Sequence, residues 1–111
     1  MRTHFTFPSD PNGDILRRMQ AAGDDLNRAR PVDYCFMFDA EDAARAFAAE
    51  MTQRGSTAVV SPYEGPKSWQ VIVTDTMVPQ HAAITATEKR LTALAEQRGG
   101  SADGWGCIGV D

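Results

Sequence analysis

Gly99-Gly100-Ser101-Ala102-Asp103-Gly104-Trp105-Gly106 decides how this chain is read, because the stretch ends a long amphipathic helix and leads into a last strand. Two adjacent glycines suit a helix C-terminus, where the backbone turns through angles that other residues avoid. Gly104 and Gly106 leave room on either side of the Trp105 indole. Before this stretch, Pro79 opens a helix whose apolar stripe is Ile84, Thr87, Leu91, Leu94 and Ala95. After it, residues 105–110 are expected to form the final strand.

Working outward, residues 57–63 and 68–75 read as two strands joined by Glu64-Gly65-Pro66-Lys67, a link of hairpin length, so they should be antiparallel neighbours. A helix precedes them. Asp39 is its expected N-cap, Asp42 follows three residues on, and Ala44, Phe47, Ala48 and Met51 keep helical spacing up to Gly55. Residues 32–38 are dense in apolar and aromatic side chains and too short for a typical helix. Tyr34, Phe36 and Phe38 fall on one side of that strand, Cys35 and Met37 on the other, which marks it as central. At the start, Asp10-Pro11 begins a short helix with Ile15, Leu16, Met19 and Ala22 on one face, stopped by Gly23.

The resulting order is a helix followed by β-α-β-β-α-β. This predicts an α+β chain, a ferredoxin-like sandwich with an extra N-terminal helix and a four-stranded antiparallel sheet, with residues 1–111 as one domain. In that topology both crossover helices lie on one sheet face. The first strand is apolar on both sides, so the second face calls for a cover: the N-terminal helix, a second copy of the chain, or a protein partner.

Bulk properties narrow the function classes. At 111 residues and 42% hydrophobic content the chain can build one core without metal or disulfide staples. A formal charge of -4 disfavours direct nucleic-acid binding, which relies on clustered Lys and Arg. The opening MRTHFTFPSD has no apolar leader-like run and no segment nears the length of a membrane span, so a cytoplasmic protein with no membrane association is expected. Cys35 and Cys107 are too few and too far apart for a disulfide framework or a zinc site, and His4 and His81 lack ligand spacing. No metal, cofactor or catalytic residue is predicted. There is no phosphate-binding glycine loop and no nucleophile with a local base motif, and residues 68–75 lack the aromatic pattern of an RNA-recognition strand.

Four residues are candidates for contact with a partner: Asp24, Asp25, Asp103 and Trp105. Trp105 reads first as an aromatic that packs the last strand and second as an interface anchor. Asp103 reads first as a turn former. Asp24 and Asp25, with Asp33, Asp39, Glu41 and Asp42, could attract a basic peptide, although capping and solvation explain most of that cluster, and Arg28 and Arg30 follow at once. The cysteines are expected on neighbouring strands, Cys107 on the same face as Trp105, and both read as small hydrophobes without a His or Lys beside them.

Taken together, these residues resemble the ribonuclease E inhibitor B family, the bacterial regulators of ribonuclease E activity of the B type. The likeness runs from Gly23-Asp24-Asp25-Leu26 through Arg30-Pro31 and Phe38-Asp39-Ala40-Glu41-Asp42-Ala43. It continues in Pro79, Ile84, Glu88, Leu91, Leu94, Ala95, Gly99 and Gly100, and ends at Asp103-Gly104-Trp105-Gly106. The resemblance implies a ferredoxin-like fold and a non-catalytic regulator whose protein partner is ribonuclease E. The chain ends at Asp111 without the long acidic extension of the best-known members. A homodimeric ferredoxin-like domain that binds a small ligand, or an interaction module unrelated to RNA, is the alternative.

Overall fold

The computed structural model describes residues 7–64 and 68–107. The elements run α1 (Pro11–Ala21), β1 (Arg30–Phe38), α2 (Glu41–Gln53), β2 (Thr57–Pro62), β3 (Trp69–Met77), α3 (His81–Glu96) and β4 (Ser101–Cys107). The strands form one sheet in the order β2-β3-β1-β4, every neighbouring pair antiparallel. That is the strand order of the split βαββαβ unit, with β1 central as its two apolar sides required.

Local chemistry sets the first helix. Asp10 is its N-cap, accepting from the Gly13 amide at 2.7 Å, and Pro11 occupies the first turn, where no amide partner is needed. The other two helix starts differ from the sequence reading. α2 is capped by Ala40, not Asp39, and has no side-chain cap bond; Glu41 and Asp42 instead place negative charge in the first turn, where the helix dipole favours it. α3 begins at His81 behind Gln80, so Pro79 lies just outside the helix and is buried.

One hydrophobic cluster joins all three helices to the sheet. Leu16 of α1, Phe47 and Met51 of α2, and Ile84 and Leu91 of α3 are each fully buried against Val32, Tyr34, Phe36, Phe38, Val71 and Val73. Phe47 meets Phe36 edge-on at 5.3 Å between ring centroids and Phe38 at 5.4 Å. Gly100 is required at the end of α3, since a Cβ there would come within 2.5 Å of the Phe38 ring.

The last strand corrects the sequence reading most. It starts at Ser101, four residues before Trp105, so Asp103 and Gly104 lie inside the strand and not in a turn ahead of it; residues 108–110 of the expected strand lie outside the described residues. Tyr34 pairs with Trp105 and Phe36 with Ala102, so Cys35 alone on β1 faces Asp103 and Gly104 on β4, which is a β-bulge. Gly104, at φ 98, supplies the left-handed backbone that such a bulge needs. The N-terminal helix does not cover the second sheet face. It packs beside α3 and sends Leu16 into the core, so all three helices share one side.

Candidate protein-interaction face

Alternation along the strands sorts their side chains between two faces. On β1, Arg30, Val32, Tyr34, Phe36 and Phe38 are buried beneath the helices, while Pro31 and Asp33 are exposed and Cys35 and Met37 half-buried on the other side. The register places Val59 of β2 opposite Ile72 of β3, and Ile72 opposite Cys35 of β1. An apolar row thus crosses three strands of the open face. Val59 is 57% exposed. The row on one side is Ser61, Gln70, Met37 and Ser101; on the other it is Thr57, Thr74, Asp33 and Gly106.

The open face is acidic. Asp33 is exposed and accepts a 2.7 Å bond from the Thr74 hydroxyl, and Asp103 is exposed at the bulge, beside Cys35. Burial pushes the Cys35 thiol up, and the negative charges of Asp103 and Asp33 push it further. The only cation among the described strand residues is Arg30, which points to the helix side and is 3% exposed.

The four residues predicted as partner contacts lie in three places. Asp103 is on the open face. Asp24 is 8% exposed in the loop between α1 and β1, and both its oxygens accept from Arg30 Nη1 at 2.8 Å. Arg30 also donates to the carbonyls of Arg28 and Asp25, at 3.2 and 2.7 Å, so the pair staples this loop to the start of β1. Asp25 is half-buried and accepts from the Asn27 amide at 3.2 Å in an Asx turn. Trp105 sits on the helix side, half-buried against the core, and its Nε1 donates to Asn12 Oδ1 at 2.8 Å. Asn12 in turn donates to Thr85 Oγ1 and Glu88 Oε1, each at 3.1 Å, so one amide ties α1, α3 and β4 together.

Sequence reasoning missed Asn12, Arg30 and the Gly104 bulge, because each acts through residues distant in the chain or through register. His81 was expected on the surface. Its Nε2 instead lies 2.9 Å from an Asp10 oxygen, joining the starts of α1 and α3, while His4 lies outside the described residues. The Asp10 carboxyl is held below its usual range, chiefly by the Gly13 amide, with His81 adding to the effect. The cysteines are on neighbouring strands but opposite faces, since Cys107 pairs with Val32 on the helix side.

The family model for regulator of ribonuclease activity B matches residues 9–107, a span that holds all seven elements. The chain belongs to this family. The family takes its description from an effect on ribonuclease activity. No curated protein matches the chain. Among the described residues, no group of three or more His, Cys, Asp or Glu side chains could hold a metal, and no helix is long and apolar enough to cross a membrane.

Proposed function

We propose that this protein is a non-catalytic regulator that binds ribonuclease E in the cytoplasm through its open sheet face and so modulates RNA degradation. The observation that carries this reading is that all three helices, α1 included, pack on one side, leaving the row Val59, Ile72 and Cys35 without a covering element among the described residues, in a family of ribonuclease regulators. Interfaces are built around such apolar centres with a polar rim. The face carries two carboxylates and, among the described strand residues, no cation, so it is better suited to a protein partner than to the phosphates of RNA.

The predicted contacts divide accordingly. Asp103 faces the partner, whereas Asp24, Asp25 and Trp105 act on binding through the loop and the strand that they hold in place. Titration calorimetry against the catalytic and scaffold regions of ribonuclease E, taken separately, tests the reading. Saturable binding that Val59→Lys abolishes, with folding intact by circular dichroism, is the expected result. Absence of binding to either region at tens of micromolar would remove ribonuclease E as the partner, and binding untouched by Val59→Lys would move the contact off the sheet.

A further inference from the structure

Resting on the reading that the open face is the contact surface, we propose that its occupant is a basic, aliphatic segment of protein chain that lies across the strands, with its apolar residues on the row from Val59 to Cys35 and its Lys or Arg residues at Asp33 and Asp103. Charge complementarity carries this choice. The face holds two carboxylates on one side of an apolar row and no compensating cation among the described strand residues, so any occupant that desolvates the row must bring positive charge to that side.

The arrangement is directional. Val59 marks the uncharged end on β2, and Asp103 marks the acidic end at the β4 bulge, where Asp33 of the adjacent row adds its charge. With strands about 4.8 Å apart, the row from β2 to β4 spans about 14 Å. That length matches about four residues of extended chain. The Thr74 hydroxyl fixes the Asp33 carboxylate in position, so an arriving guanidinium or ammonium meets an oriented acceptor. A second copy of the chain fits less well, because two such faces would bring four carboxylates together with no strand cation between them.

The test uses the full chain with a ten-residue amidated peptide alternating Arg and Ile, and a matched peptide with Glu in place of Arg. The expected result is that the Arg peptide shifts the amide resonances of residues 33, 35, 59, 72 and 103 while the Glu peptide leaves them in place. Asp33→Asn with Asp103→Asn should weaken that binding about ten-fold, the combined effect of two exposed charge pairs, without lowering the unfolding midpoint. Asp42→Asn with Glu96→Gln, which removes two exposed carboxylates from the helix side, should leave it within about two-fold. Equal loss from both double variants, shifts elsewhere, shifts with both peptides, or none with either would overturn the basic-segment proposal. The ribonuclease reading is judged apart from this: if ribonuclease E binds through Val59 but ignores Asp33→Asn with Asp103→Asn, the regulator reading stands and the charge assignment falls.

Discussion

The two faces of β1 are built from one run of nine residues, yet they do different work. On the helix side, Val32, Tyr34, Phe36 and Phe38 are each at most 2% exposed and locked among aromatic and aliphatic neighbours. On the other side, Cys35 and Met37 are only half-buried, and Asp33 is exposed. The difference shows that apolarity in a strand specifies what the strand can meet, not that its own chain will supply the cover. Burial is concentrated on one face.

Paired substitutions offer the sharpest way to break that contrast. Phe36→Ala should cost about 3–5 kcal/mol in urea unfolding through the cavity it leaves, whereas Met37→Ser, one residue on, should cost under about 1 kcal/mol. Equal costs would mean that the open face is packed as well. Arg30→Met should cost about 3 kcal/mol because the buried Asp24 carboxylate would lose the guanidinium that faces it. The double variant Arg30→Met with Asp24→Leu should recover most of that loss.

A pH series sharpens the comparison from the covered side. Burial pushes the Tyr34 phenol up to about 12, above its unfolded value near 10. A group raised in this way favours the folded state below the unfolded pKa, and that favour is lost as pH rises toward the folded one. Thermal stability should therefore fall between about pH 10 and about 12. Tyr34→Phe should flatten this decline, and an unchanged slope would locate the alkaline loss elsewhere. The smallest effect belongs to the open face. Because its thiol is raised by burial and by Asp103 and Asp33, Cys35 should be alkylated more slowly than a free cysteine at pH 8. Asp103→Asn should speed the reaction modestly, as read by mass spectrometry with Cys107→Ala as the background.

Much of the architecture was legible in the sequence because periodicity carries it. The residues flanking Phe47 in α2 and Leu91 in α3 repeat at helical spacing, β1 alternates, and Gly55 and Gly99 end their helices with positive φ. The place of α1 was not legible: Leu16 declares an apolar side but not which surface receives it, and the Asn12 amide that links Trp105 to Thr85 and Glu88 has no local signature. The start of β4 was misplaced because Gly104 looks like a turn residue when its partner strand is unseen. Of the candidate site, the acidic character and the two-sided first strand were readable, but not the separation of Asp24 and Trp105 from Asp103, which depends on register and on the Arg30 pair.

The bulge at Gly104 also bears on how such a chain survives with one sheet face bare among the described residues. A sheet with unpaired outer strands invites other chains to add to it, strand upon strand, until material is lost to fibres or precipitate. Here one border is kinked in the middle of β4, and the other carries Pro62 at the end of β2, where proline has no backbone amide to offer. Growth in the plane of the sheet is obstructed at both borders, and the flat of the sheet stays open to a visitor.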